Sequence, residues 1–327
     1  MSDSDNFSAP VTVIVCAYNA AKYIRDTLNS LIVQTYESLE ILIVDDASND
    51  ETAAISRSYA ERDSRVRVVR HPENRGIAHA RKTGIEQSSH ELLTFIDSDD
   101  VAMPHMVETL IREMLADDKR LGVSAFRIYF EDTRDLGMQQ IGPTSREAYN
   151  RLYSHNKLIF LSFPHLVRKA DVLCAGGFRV GLLPNADGVR YEDFCEDLDL
   201  WCRMSDFSAD GRYFITLTEP LSKYRKSSDS LSTKNLRQMQ NKIRWIKDCL
   251  LRRRSGQQEQ SYANFLATRP RRKRILNWFA DKSAQFYKQA GFAYSRRNYG
   301  RLILFLLLAG CASPRLMWQK IKTQAVR

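Results

Sequence analysis

The sequence predicts an α/β fold, a mostly parallel sheet covered by helices on both faces, with a basic helical C-terminal region after it. Three observations carry that expectation. Short apolar, β-branched runs alternate with helix-periodic stretches about every 25 residues, the order that builds βαβ units. The runs are predominantly apolar, as strands buried on both faces require. Charge divides the 327-residue chain: residues 1–233 hold 27 Lys/Arg against 36 Asp/Glu, and residues 234–327 hold 22 against 3, so a body of net −9 precedes a tail of net +19. The organisation expected is a disordered N-terminus at 1–9, one α/β domain at 10–233, and a basic α-helical region at 234–327.

Taken in order, VTVIVCA (Val11–Ala17) reads as the first strand. Ile24, Leu28, Leu31 and Ile32 then recur at helical spacing. LEILIV at 39–44 is a second strand, and Asp50 suits the N-cap of a helix bearing Ile55 and Tyr59. Residues 66–69 make a third strand, Ile77–Gln87 a helix, and 92–96 a fourth strand. Val107, Leu110, Ile111 and Met114 mark another helix, with Pro104 placed in its first turn. Residues 122–130 read as a further strand. Residues 131–190 are less regular, with turn signals at 174–178 and a loop at 184–188. In YEDFCEDLDLWCRM, at 191–204, Leu198, Trp201 and Cys202 share a helical face that Glu196 and Asp197 precede. Beyond 234, Leu236, Met239, Ile243, Ile246 and Leu250 form an amphipathic seam among arginines and lysines.

Several classes drop out. The six cysteines are scattered without a C-x-x-C pair, which favours reduced thiols over a disulfide framework or a zinc site. MSDSDNFSAP lacks the basic and apolar parts of a signal peptide. No G-x-G-x-x-G follows the first strand and no P-loop occurs. The apolar run 302–309 is far shorter than the roughly 20 residues that cross a bilayer.

The chemistry gathers where strands end. LLTFIDSDD closes the fourth strand on Asp97, Asp99 and Asp100; carboxylates there can hold Mg²⁺ or Mn²⁺ by one or two oxygens, leaving the other positions to phosphates and water. The plain alternative is a solvated turn or helix cap. An EF-hand beginning at Asp97 fails, because Val101 and Ala102 stand where an oxygen ligand and a glycine are needed. Asp45 and Asp46 close the second strand, where acceptor oxygens can bind a base imide or ribose hydroxyls, or merely cap a turn. Tyr18-Asn19 follows the first strand. Arg75 can approach a diphosphate or lie on the surface. Asp197 is the candidate base: shielding by Trp201 and Phe194 and the adjacent Glu196 raise a carboxylate toward working range. As a bland reading, acids at a helix start also suit the helix dipole.

Together VTVIVCAYNAAKYIRDTLNSLIVQT, ILIVDDASNDET, NRGIAHARKTGI, FIDSDD and CEDLDLWCRM resemble, in order and spacing, the family 2 glycosyltransferases of the GT-A fold, over about residues 10–230. The resemblance implies a Rossmann-like sheet and an inverting transferase of the bacterial polysaccharide type, using a nucleotide sugar, most often a UDP-sugar, with Mg²⁺ or Mn²⁺. On that likeness Ala17, Tyr18 and Asp46 border the base, with Asn19 and Asp45 beside them, and Arg75 serves base or phosphate. Asp97 and Asp99 serve ribose and metal, Asp100 lies near the metal, and Asp197, with Glu196 before it, is the general base. The sequence departs from the family at Tyr224-Arg225-Lys226-Ser227, where many relatives carry a histidine at the position of Ser227.

The expected partners are the nucleotide-sugar donor, a saccharide or lipid-linked saccharide acceptor, and, for the basic tail, an anionic membrane surface. The place expected is the cytoplasm, peripheral on the inner face of the membrane. Nucleic acid is disfavoured for want of a binding motif. Competing readings are a nucleotidyltransferase, which calls for a glycine-rich loop after the first strand, and a non-catalytic protein of the same fold, which the intact acid set argues against.

Overall fold

The computed structural model describes residues 9–182, 190–226, 235–295 and 297–318 of the chain. Residues 1–8 of the N-terminus expected disordered at 1–9, the loop at 184–188, the Ser227 position and the boundary at Lys234 lie outside the described residues. The chain divides into two compact units, Met1–Ser227 with Ile246–Glu259, and Ser228–Trp245 with Gln260–Arg327.

The first unit is built on β1 (Val11–Ala17), buried along its whole length. Its side chains alternate between faces: Val11, Val13 and Val15 enter one core, Ile14 and Cys16 the other. Each buried Val or Ile contributes about 2 kcal/mol, so both faces demand apolar residues. The exception, Thr12, donates its hydroxyl to Glu40 at 2.7 Å. After β1 come α1 (Ile24–Ile32), β2 (Leu39–Asp45), α2 (Thr52–Ala60), β3 (Val66–Arg70), α3 (Ile77–Gln87), β4 (Leu92–Asp97), β5 (Val101–Ala102) and α4 (Met106–Leu115). Then follow β6 (Arg120–Glu131), β7 (Arg134–Gln139), α5 (Arg146–Ser154), β8 (His165–Arg168), α6 (Lys169–Cys174), α7 (Glu196–Met204) and β9 (Tyr213–Arg225). Helices α1, α2 and α4 send Leu28, Ile55 and Leu110 into the first core. Helices α3, α5, α6 and α7 send Ile85, Tyr149, Val172 and Trp201 into the second.

The sheet runs β3-β2-β1-β4-β8-β6-β9-β5, with β7 on β6. The first four strands are parallel. β8 opposes both β4 and β6, β9 runs parallel to β6, and β5 and β7 are antiparallel to their neighbours. Most strands therefore point one way, as the apolar runs predict. The order turns back at β1 and continues through β4, and a sheet of this kind offers its crevice outside the carboxyl ends at such a reversal.

Local departures have simple causes. Pro104 precedes α4, whose N-cap is His105, rather than occupying its first turn. Asp50 accepts the Thr52 N–H at 3.0 Å from one residue before the N-cap Glu51, an Asx-type turn. Among its described residues the stretch 131–190 holds two strands and two helices; β7 is largely exposed, so it lacks the apolar signature of the inner strands.

Helix α8 (Leu236–Arg254) contributes residues to both units; within the first, Ile246, Cys249 and Leu250 are fully buried. The second unit contains α9 (Tyr262–Thr268), α10 (Arg271–Ser295) and α11 (Tyr299–Ala312). Helices α10 and α11 pair antiparallel: Ser283 donates its hydroxyl to the Ala309 carbonyl at 2.8 Å, and Phe286 stacks on Phe305 at 6.5 Å.

Candidate functional site

Strand register sets the floor of the site. Ala17 lies opposite Asp45, and Cys16 opposite Asp97, so β1, β2 and β4 end together. Beyond Ala17, Tyr18 is exposed, and Asn19 adopts φ 50°, a left-handed conformation that asparagine tolerates. Asn19 accepts the Asn49 N–H at 2.8 Å and donates its own to Ser48 Oγ at 3.0 Å. This lacing holds the loop after β1 against the loop after β2.

The two acids after β2 are occupied by their own loops. Asp45 is fully buried; its Oδ1 accepts the Ser48 N–H at 3.1 Å, and Arg70 stands 3.1 Å from Oδ2. Asp46 accepts the Arg75 N–H at 2.9 Å and the Gly76 N–H at 2.7 Å, and meets His71 Nδ1 at 2.6 Å. Its carboxylate therefore shapes the loop leading to α3, while the Arg75 side chain stands exposed. Asp193 closes the same loop from the other side: it accepts the Ala78 N–H at 3.1 Å, and Arg190 donates to the Asn74 carbonyl at 2.6 Å. Burial, with Glu192 nearby, lifts the Asp193 carboxyl to about 6.

At the tip of β4 the acids part company. Asp97 accepts from Arg81 at 3.1 Å and remains one-third exposed. Asp99 forms no ion pair among the described residues, and burial beside Asp97 raises its carboxyl to about 6. Asp100 turns inward, 1% exposed; it accepts the Arg225 N–H at 3.0 Å, and its carbonyl accepts the Thr27 hydroxyl at 2.7 Å. Its Oδ2 has no hydrogen bond, with Arg127 3.6 Å away, and burial pushes the group well above the ordinary carboxylate range. Arg225 also holds the Asp99 carbonyl at 3.0 Å and pairs with Asp26 at 2.9 Å.

Helix α7 brings the remaining acids to this tip. Its N-cap, Cys195, is left-handed at φ 53°, and Glu196 and Asp197 open the first turn. Glu196, 7% exposed, pairs with Arg81, itself 6% exposed. Arg81 thus bridges Glu196 and Asp97, with its guanidinium 4.5 Å from the centre of the Phe163 ring. Asp197 keeps a half-buried carboxylate whose Oδ1 accepts the Leu198 N–H at 2.7 Å. Burial raises its pKa, Asp97 adds to the rise, and Arg81 and Arg127 oppose it.

The structure thus brings Asp97, Asp99, Asp100, Glu196 and Asp197 together and turns Asp45 and Asp46 into loop supports. Arg81 and Arg127 were not singled out from the sequence. A signal for Arg81 existed: it falls on the buried side of α3 with Ala78, Ala80, Gly84 and Ile85, where an arginine requires an acid. For Arg127, on β6, no such signal was available.

Five carboxylates here face three guanidiniums, those of Arg81, Arg127 and Arg225. Among the described residues no three metal-ligating side chains form a ready-made set. Burial, with Asp97 adding to it, nevertheless raises the Asp99 carboxyl to about 6, and Asp100 Oδ2 lacks a hydrogen bond. That donor set fits a hard divalent cation held by one or two carboxylates and completed by phosphate and water.

Comparison with known proteins gives concordant findings. The model of the family described as Glycosyl transferase family 2 matches residues 12–174. EpsH of Bacillus subtilis (strain 168) is 35% identical over 166 residues, covering 50% of this chain and 48% of EpsH. The match covers 48% of EpsH and 20% and 40% of two further curated relatives, the Streptococcus pneumoniae glycosyltransferases GlyA and GlyG. Among solved structures, S. aureus TarS 1-349 in complex with UDP-GlcNAc aligns with a TM-score of 0.54 at 15% identity, over 91% of this chain and 90% of that one. The mannosyltransferase PcManGT from Pyrobaculum calidifontis, in complex with GDP-Man and Mn²⁺, aligns with a TM-score of 0.52 at 20% identity, over 95% and 87%. At such identities the structural likeness concerns the fold alone.

Proposed function

The chain belongs to glycosyl transferase family 2 through residues 12–174 and has the GT-A fold, and on that footing we propose that it is an inverting, metal-assisted glycosyltransferase. It takes a sugar from a nucleoside diphosphate donor, a UDP-sugar being the first choice, and passes it to a saccharide or lipid-linked saccharide in cell-surface polysaccharide assembly. One observation carries the reading: Arg81 ties Asp97 at the tip of β4 to Glu196 at the start of α7, and the neighbouring Asp197, with one oxygen on the Leu198 N–H, lies within the electrostatic reach of Asp97.

The roles follow from what each group has left to offer. Asp197 takes the proton of the acceptor hydroxyl, and its raised pKa makes it a better base than an exposed aspartate. The acceptor oxygen bonds the anomeric carbon as the bond to the diphosphate oxygen breaks, so one displacement inverts the centre and no enzyme nucleophile is needed. Asp97 and Asp99, with Asp100 behind them, would hold Mg²⁺ or Mn²⁺, which when bound offsets the charge gathering on the leaving diphosphate. Tyr18 and Asn19 form the exposed edge available to the nucleoside, together with the loop that Asp46 shapes. Arg75 is free to approach phosphate. The basic region from 234 onward supports a place on an anionic membrane face.

Thermal shift with nucleotide sugars, with and without Mn²⁺, tests the donor half; stabilisation is expected from one nucleoside diphosphate family and only with the cation. If none stabilises the protein, the reading fails. For the base, Asp197→Asn is expected to abolish transfer while donor affinity stays within about twofold of wild type. Loss of both would remove Asp197 from the role.

A further inference from the structure

The second unit carries two features that the transfer chemistry does not use. The first is an unpartnered apolar surface on the paired helices α10 and α11. On α11, Ile303, Leu304 and Leu307 are 59%, 52% and 64% exposed, and on α10 Ile275, Leu276, Trp278 and Phe279 are comparably open. The second is a cationic cleft. Arg237, Arg269 and Arg274 line a cavity of about 250 Å³ with Asn241, Asn277 and Trp278, and Arg237, Arg271, Arg274, Ile275 and Trp278 line an adjoining one of about 470 Å³. The smaller space is about eight times that of a water molecule.

The charge in this cleft is not balanced from within. Its one acid, Asp281, pairs with Arg244, and Arg269 is held by Asn241 at 2.7 Å. Arg237, Arg271 and Arg274 are exposed and form no ion pair among the described residues. Across α10, α11 and their connection, nine Lys/Arg stand against Asp281 alone.

We infer that this unit docks on an anionic lipid bilayer, with a headgroup phosphate seated among Arg237, Arg271 and Arg274 and the leucine-rich face of α11 lying in the interface. This deepens the membrane reading above and is independent of the transfer reaction. Arginine recognises phosphate through several donors at once. The Trp278 side chain lines both cavities, as suits a residue at the level of headgroups. A free anion has no use for the apolar rim of Ile275, Leu276 and Phe279. A second copy of the chain would bring two strongly cationic surfaces face to face. Helix α11, 14 residues and about 21 Å long, is too short to cross the roughly 30 Å hydrocarbon layer, and no described helix is long and apolar enough to do so. It therefore lies on the bilayer.

The test is co-sedimentation of the full chain with phosphatidylcholine vesicles, with and without 30 mol% phosphatidylglycerol, while tryptophan emission is recorded. Partitioning onto the anionic vesicles is expected to exceed that onto neutral ones by at least tenfold, to fall with salt, and to shift emission to the blue. Arg237→Gln/Arg271→Gln/Arg274→Gln should lower partitioning by about 125-fold, three basic residues each contributing about a fivefold factor. Leu304→Gln/Leu307→Gln, both at exposed positions, should lose most of the binding with the fold intact. Equal binding to neutral vesicles, or full binding by the triple variant, overturns the inference. Absence of vesicle binding together with self-association that the leucine variant abolishes also overturns it, in favour of a second copy. The nucleotide-sugar screen with Mn²⁺ on the same samples separates the two readings: retained donor binding without vesicle binding sinks the surface alone, and vesicle binding without stabilisation by any donor sinks the transferase.

Discussion

Removing the Arg81 guanidinium is the sharpest perturbation of the site. Arg81→Leu leaves Glu196, 7% exposed, without its partner, and an uncompensated buried charge costs about 3–5 kcal/mol. Asp97 is one-third exposed, so water replaces most of what it loses and adds only a few tenths. The ring contact with Phe163, at 4.5 Å, adds about 1 kcal/mol. Protonation of Glu196 relieves part of the cost, leaving an expected loss of about 3 kcal/mol. Urea unfolding followed by tryptophan fluorescence reads this directly. The informative variant is Arg81→Leu/Glu196→Gln, which removes charge and partner together and should recover about 2 kcal/mol relative to the sum of the single changes. Arg81 also opposes the rise of the Asp197 pKa, so residual transfer by Arg81→Leu should show its acidic limb at higher pH than wild type. A loss below about 1 kcal/mol, or single effects that add within about 0.5 kcal/mol, would refute the bridge.

Two further predictions concern the loop that Asp46 and Asp193 close. Gly76 has φ +92°, and a Cβ there would stand 2.2 Å from Asp193 Oδ2, so Gly76→Ala should lower stability by at least about 2 kcal/mol. Adding Asp193→Ala should remove the collision and leave the backbone strain of about 1–3 kcal/mol, read by thermal melting. Burial raises the Asp193 carboxyl from 3.8 to about 6, so what it contributes to stability is whole below pH 3.8 and is lost as pH rises through about 6. Asp193→Asn should therefore melt higher than wild type at pH 7.5, by about 1–2 kcal/mol after allowing for solvent, and match it near pH 4.

What the sequence discloses and what it withholds follow the range of the interactions. β1 and α3 keep their expected bounds because burial on both faces and a 3.6-residue period are written into adjacent residues. The meeting of strand-end acids at one edge is legible for the same reason, since parallel strands separated by helices must end together. The duties of the individual acids are not. Asp46 is settled by His71, Arg75 and Gly76, 25 to 30 residues away, and Glu196 by Arg81, 115 residues away. Asp193 was passed over because Tyr191–Asp193 is only a single tight turn, too short to show a period.

The deciding property of each acid is therefore its unfilled capacity, and chemical type alone cannot reveal it. Asp45, Asp46 and Asp100 are all strand-end aspartates: Asp46 spends its oxygens on backbone N–H groups and His71, and Asp45 and Asp100 each spend one oxygen on a backbone N–H and face an arginine with the other, so all three fix loops. Asp97, Asp99 and Asp197 retain exposure or raised affinity for positive charge. A proton or a cation can satisfy them, while the acids committed to the loops hold the surrounding backbone in place. Asp99, buried beside Asp97 and without an ion pair among the described residues, is the carboxylate with most to gain from an arriving positive partner.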